Sequence, residues 1–205
     1  MNLRFPRSTF LAAMFVAAVS VCAASAQDLK INEQPLRDFS KQVKDQIDNK
    51  QVDVTKPFSL EMAAVIRDDG RLDKNASKFT SESGDPKMVQ VAKDAIMAMG
   101  ESGYFGYLQQ AGISQATLTV SQTQQIFTGN VHSSQNRFQA ALMTSGINTM
   151  LSIGRSQKMD ANEKLIIDNT RASHDGGNID INCTLPAADF QRMILGNTAA
   201  AGPSH

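Results

Sequence analysis

Phe58-Ser59-Leu60-Glu61-Met62-Ala63-Ala64-Val65-Ile66-Arg67-Asp68-Asp69-Gly70 is the stretch that decides the fold class. Phe58, Leu60, Met62, Ala64 and Ile66 alternate with Ser59, Glu61, Ala63, Val65 and Arg67, the period of two that sends successive side chains to opposite faces of a strand. Asp69-Gly70 follows at once. Glycine tolerates positive φ, so this pair predicts a hairpin whose second, less cleanly patterned run is Arg71 to Ser81.

Working outward, Ser83-Gly84-Asp85-Pro86 offers Asp85 as a helix N-cap and Pro86 at the first helical position, where its missing N–H costs nothing. Met88, Val91, Ala92, Ala95, Ile96 and Met99 then share one face of a helix ending near Gly100 to Gly103. Upstream, Leu36, Phe39, Val43 and Ile47 recur at spacings of three and four and predict a helix over 35–49. Thr55-Lys56-Pro57 ends it or lies beyond it.

Downstream, alternation at Leu118 and Val120, then Phe127, Gly129 and Val131, predicts one or two strands between about 117 and 132. Ser133-Ser134 is placed to cap a helix whose apolar face includes Phe138, Ala141, Leu142, Ser145, Thr149 and Ile153, with Gly146 and Gly154 weakening its interior and end. Leu165 and Ile167 begin another strand, His174-Asp175-Gly176-Gly177-Asn178 turns, and Ile179 to Leu185 returns. Pro186 opens a final helix carrying Phe190, Met193 and Ile194.

The two halves thus repeat one order: helix, strand, Asp-Gly turn, strand, proline, helix. Duplication would produce it, and so would the common αββα pattern alone. The expected fold class is α+β: antiparallel hairpins with helices packed on one face, in two αββα-like halves. The expected divisions are 1–26, 27–131, 132–197 and a disordered tail at 198–205.

Ile66-Arg67-Asp68-Asp69-Gly70-Arg71-Leu72, then Ser83-Gly84-Asp85-Pro86 with Met88, Val91, Ala92, Ala95 and Ile96, resembles the C-terminal domain of the TonB and TolA energy-transducing proteins. In that family a strand ends in a polar-Gly turn, a second strand leads to a Ser/Gly-Asp-Pro helix start, and an alanine-rich helix face packs on the sheet. The likeness covers about 58–100, or 35–131 with the flanking helix and strand. It implies a fold and a cell-envelope setting, and carries over no functional residues. The second half, from about 132 to 195, lies outside it.

The N-terminus points to the same compartment. Arg4 and Arg7 precede an apolar stretch from Phe10 to Ala24, and Ala24-Ser25-Ala26 precedes the polar Gln27-Asp28. That is the order of a cleavable secretory signal over residues 1–26. The apolar run is shorter than the roughly 20 residues that span a bilayer, and lipid attachment at Cys22 is disfavoured by the bulky Val21 before it. A membrane contact is expected only if the signal stays attached. Removing 26 of the 205 residues leaves 179, with 18 basic against 20 acidic side chains and a net charge of −2. No footprint for nucleic acid exists at that balance.

Chemistry is sparse. Cys183 is the one cysteine after the signal, so an intramolecular disulfide is excluded, and its place in Ile179-Asp180-Ile181-Asn182-Cys183 predicts a buried thiol. His132, His174 and His205 form no H-E-x-x-H; nor is there a G-x-S-x-G, a Walker loop or a cysteine pair at metal spacing. His174-Asp175 reads as turn chemistry, and Asp68-Asp69-Gly70 lacks the spacing and closing glutamate of a calcium loop. The methionines at 88, 97, 99, 143, 150 and 193 read as core. The expectation is therefore no catalytic residue, metal or cofactor.

Gly103-Tyr104-Phe105-Gly106-Tyr107-Leu108 is the one aromatic cluster. Tyr104, Phe105 and Tyr107 either close the core or form a partner contact. The functional expectation is a non-enzymatic periplasmic or secreted protein that works by contact with another envelope protein, through an exposed strand edge. The alternative is a periplasmic carrier of a small apolar ligand or lipid; an enzyme ranks third.

Overall fold

The computed structural model describes residues 31–156, 159 and 161–199. The expected signal, 1–26, lies outside them, as do residues 200–205 of the expected tail.

Helix α1 (Gln34–Asp48) is followed by strands β1 (Phe58–Val65) and β2 (Lys78–Gly84), helix α2 (Pro86–Ser102) and the short α3 (Gly106–Gln110). Strands β3 (Gln115–Gln122) and β4 (Ile126–Ser134) come next, then α4 (Arg137–Ser156), α5 (Ala161–Asp168), β5 (Thr170–Asp175), β6 (Asn178–Pro186) and α6 (Ala187–Ala199). The strands form one antiparallel sheet in the order β2-β1-β3-β4-β6-β5. The α+β class, with antiparallel hairpins and helices on one face, is the architecture observed. The 131/132 division expected from sequence falls inside β4, and one apolar core runs beneath both halves.

Register fixes the two faces. Leu60 pairs with Val120, Val120 with Gly129 and Gly129 with Cys183; Met62, Leu118, Val131, Ile181 and Ala172 make the neighbouring row. Apart from Gly129, which has no side chain, these residues point into the core, where α2 covers β1 and β2, α4 covers β5 and β6, and α6 covers β4 and β6. Helix α1 lies against α2 through Leu36, Phe39 and Val43. Among the described residues the opposite face carries no helix, and it is polar, as antiparallel sheets allow. Its rows run Glu61, Thr119, Asn130, Asn182, Arg171 and Ala63, Thr117, His132, Asp180, Ser173.

Both halves contain a split β-α-β unit. Strands β2 and β3, each antiparallel to β1, are joined across it by α2; β4 and β5, each antiparallel to β6, are joined across it by α4. Yet the hairpin precedes the crossover helix in the first half and follows it in the second. The first strand of the αββα run is central in one half (β1) and at the edge in the other (β5), an arrangement that simple tandem duplication does not produce.

The Asp85-Pro86 start is built as the residues dictate. Asp85 Oδ1 accepts from the Lys87 and Met88 amides at 3.0 Å each, and α2 ends on Gly103 in the left-handed region at φ 81°. Four expectations need correction. Asp69-Gly70 closes only an isolated bridge between Ile66 and Leu72, and the partner strand does not begin until Lys78. Ser133 and Ser134 finish β4, so the cap of α4 is Asn136, whose Oδ1 accepts from the Gln139 amide at 2.9 Å. Leu165 and Ile167 belong to a helix, α5, with Ile166 and Ile167 both buried, a pattern strand alternation forbids. Helix α6 extends through Ala199, two residues into the segment expected to be disordered.

Candidate functional site

The aromatic cluster is not a contact surface. Tyr104, Phe105 and Tyr107 are 3%, 1% and 6% exposed. Gly103 reverses the chain after α2, and the turn folds the rings into the core, where their apolar area is worth more buried than wet. The Asp69-Gly70 turn seals this plug: a Cβ on Gly70 would lie 2.5 Å from the Gly106 Cα and 2.7 Å from the Gly103 carbonyl oxygen. Burial, with lesser contributions from Tyr107 and Glu33, pushes the Tyr104 phenol up to about 12; burial also raises Tyr107.

The remaining reactive groups stand apart. Cys183 is 2% exposed, its Sγ 3.9 Å from the Ile166 carbonyl oxygen, and burial pushes its thiol up, away from the reactive thiolate. Asp69 is occupied within its turn, accepting from the Arg71 amide at 3.1 Å and pairing with Arg67 at 3.0 Å. His174 lies near the end of β5, exposed. His132 Nδ1 and Asp180 Oδ1 are 2.9 Å apart on the open face, and Thr117 is the register neighbour of His132. A hydroxyl, an imidazole and a carboxylate therefore share one row, but no hydrogen bond joins Thr117 to His132, and the row lies on an open sheet face rather than in a cleft. Among the described residues no three His, Cys, Asp or Glu side chains converge to hold a metal ion.

A cleft of about 860 Å³ opens beside α2 and the 71–75 segment. Arg67, Arg71, Asp73, Lys74 and Glu101 line it, with Lys74 and Glu101 paired at 2.5 Å. Such a lining suits water and ions rather than an apolar ligand.

The sheet's two edges differ in a way sequence patterning did not reveal. At β5, the Asn148 side chain on α4 acts as a surrogate strand: Nδ2 donates to the Ala172 carbonyl oxygen at 2.8 Å and Oδ1 accepts from the Ala172 amide at 3.2 Å. Arg155, also on α4, donates to the Thr170 carbonyl oxygen at 2.9 Å. Helix α4 thus occupies this edge. At β2, no side chain among the described residues hydrogen-bonds to the backbone of 78–84. The register shifts between Glu61 and Met62, and the extra residue, Thr80, donates from Oγ1 to Glu61 at 2.7 Å. Beyond it, Ser81 to Gly84 pair regularly with Phe58 to Glu61, and no strand among the described residues lies on their outer side. Helix α2 steadies the strand from the core side, with Lys93 paired to Glu82 and lying over the Phe79 ring.

The second exposed feature is α4 itself. Its buried stripe is Ala140, Thr144, Ile147, Leu151 and Gly154. The face expected to be buried points the other way: Phe138 is 78% exposed, Leu142 64% and Ile153 45%, with Ser145 and Thr149 exposed between them. The helix therefore carries two apolar stripes on opposite sides, and the sheet covers only one.

Comparison of the chain with protein-family models, with curated proteins and with solved structures finds no match.

Proposed function

We propose that this is an exported, non-enzymatic protein of the cell envelope, working by contact with another envelope protein that adds a strand at the β2 edge. The observation that carries the reading is the asymmetry of the edges: α4 side chains bond the outward backbone groups of Thr170 and Ala172 in β5, whereas the outward ones of β2, at Glu82 and Gly84, have no side-chain partner among the described residues. Strand addition draws on main-chain hydrogen bonds, which the partner supplies whatever its side chains. The Thr80 bulge and the charges of Lys78 and Glu82 discourage indiscriminate edge pairing, so the edge favours a matched partner.

Two further features support the compartment and the family likeness. Residues 1–26 have the order of a signal. The run of strand, Asp-Gly turn, second strand, Asp85-Pro86 and an α2 that buries Ala92, Ala95 and Ala98 is in keeping with a TonB/TolA-like domain. The near-neutral charge balance argues against a nucleic-acid partner.

The test is photo-cross-linking in a Gram-negative host, with the reactive residue at Ser81 in β2 or at Asp175 in β5, alongside the intact mass of the soluble periplasmic protein. The expected result is a mass beginning at Gln27 and a discrete adduct from position 81 alone. Equal labelling from both edges, or retention of the chain in the cytosol, overturns the reading.

A further inference from the structure

We infer that the cleft beside α2 and the 71–75 segment is a ligand site, taking a metabolite-sized molecule that carries an oxyanion, a carboxylate or a phosphate, held by the Arg71 guanidinium with Arg67 beside it. This goes beyond strand addition at β2 and does not depend on it, since the cleft and Ser81 to Gly84 share no residue.

Of the charged side chains that line the cleft, Arg71 is the one left without a partner among the described residues. Lys74 pairs with Glu101 at 2.5 Å, Arg67 pairs with Asp69 at 3.0 Å, and Asp73 Oδ1 accepts from the Asn75 and Ala76 amides at 2.9 and 3.1 Å. The position of the spare cation is adverse. The Ile66–Leu72 bridge sets Arg67 opposite Arg71, with the Arg67 amide donating to the Arg71 carbonyl oxygen at 2.8 Å. Like charges directly opposite one another destabilise an antiparallel pair. Asp69 offsets one of the two, and a bound oxyanion offsets the other. Arginine suits that task, because its planar fork donates to two oxygens of a carboxylate or phosphate at once.

The frame that presents Arg71 is fixed before any ligand arrives. The turn at Gly70 is docked against Gly106, the Asp73 amide donates to the Val65 carbonyl oxygen at 2.8 Å, and the Leu72 side chain sits so close to α2 that a Cβ on Gly100 would lie 2.7 Å from it. A cation held on such a backbone loses little freedom on binding. Asn32 stands on the rim with its Oδ1 accepting from the Gln34 amide at 3.1 Å, which leaves its amide nitrogen to donate. The volume of about 860 Å³ is that of a small-molecule site.

The test is an amide-resolved NMR titration of the purified chain with inorganic phosphate and, separately, with citrate, at an ionic strength held constant with sodium chloride. At least one anion is expected to give saturable shifts centred on Arg67 and on Arg71 to Asn75, with a Kd of about 1 mM or tighter. Saturation by citrate alone assigns the site to carboxylates, and by phosphate alone to phosphates. Arg71→Ala weakens the binding by about tenfold or more. Arg171→Ala, which removes another exposed arginine from the open sheet face, leaves it unchanged. No saturable shift from either anion up to about 20 mM overturns the inference. So does an affinity that Arg71→Ala leaves intact, or shifts around Arg171 as large as those around Arg71, which would mean only general attraction to surface cations.

Discussion

Two turns with the same dipeptide have opposite fates. Asp175-Gly176 closes a tight hairpin: Asp175 pairs with Asn178, Gly176 sits at φ 58°, and a side chain there would meet open space. Asp69-Gly70 also has a left-handed glycine, at φ 76°, but it closes no strand pair and is driven backbone-to-backbone into Gly106. The local chemistry is alike in both, since Asp-Gly favours a reversal wherever it stands. What differs is the tertiary setting of the first glycine: Gly176 faces open space while its neighbour Gly177 rests on Gln135, whereas Gly70 is itself the seal on an aromatic plug.

The contrast is sharpest for alanine. Gly70→Ala combines a forbidden contact with left-handed strain and is expected to cost about 3 kcal/mol or more, against about 1 kcal/mol for Gly176→Ala. Urea unfolding of the two variants checks this, and equal costs would mean the first turn is not docked. The plug offers a smaller effect. The unfolded Tyr104 phenol ionises near 10.0, the folded one near 12. Between those values the unfolded chain loses a proton that the folded chain keeps, so stability present below pH 10 drains away as pH rises toward 12. The loss attributable to Tyr104 reaches about 2–3 kcal/mol, and Tyr104→Phe is expected to flatten that part of the pH profile. At the opposite end of the sheet, Asn148→Ala orphans the Ala172 amide and carbonyl for about 1–2 kcal/mol, whereas Ser81→Ala on the free β2 edge is expected to stay within about 0.5 kcal/mol. Hydrogen exchange at Ala172 reports the same loss directly.

How much was legible follows from how local each signal is. The α2 start needed only Asp85, Pro86 and the two amides beyond them, and β1 needed only alternation. The α4 face was misread because hydrophobicity pointed to Phe138, Leu142 and Ile153, while the stripe that packs on the sheet is built from Ala140, Thr144 and Gly154 beside Ile147 and Leu151. Small residues let a helix approach a sheet closely, and periodicity weighs them least. Leu165-Ile166-Ile167 was too short a run for period to separate strand from helix. The aromatic cluster read as the close of the core ahead of a contact, and the rings are buried. The blocked β5 edge was invisible because Asn148 and Ala172 meet through an amide 24 positions away, and a single asparagine in a helix carries no mark of that use.

The strand order also sets a schedule. Hairpins β1–β2, β3–β4 and β5–β6 join segments close in sequence, but the β1–β3 and β4–β6 seams must bring together Leu60 with Val120 and Val131 with Ile181. Closing such loops spends chain entropy before any contact repays it, so these seams are the slow steps of folding. Because the first seam ends at Gln122 and the second at Pro186, a chain emerging from its N-terminus can complete one side of the sheet while the other still lacks its central strand, leaving the β4 edge open for that interval.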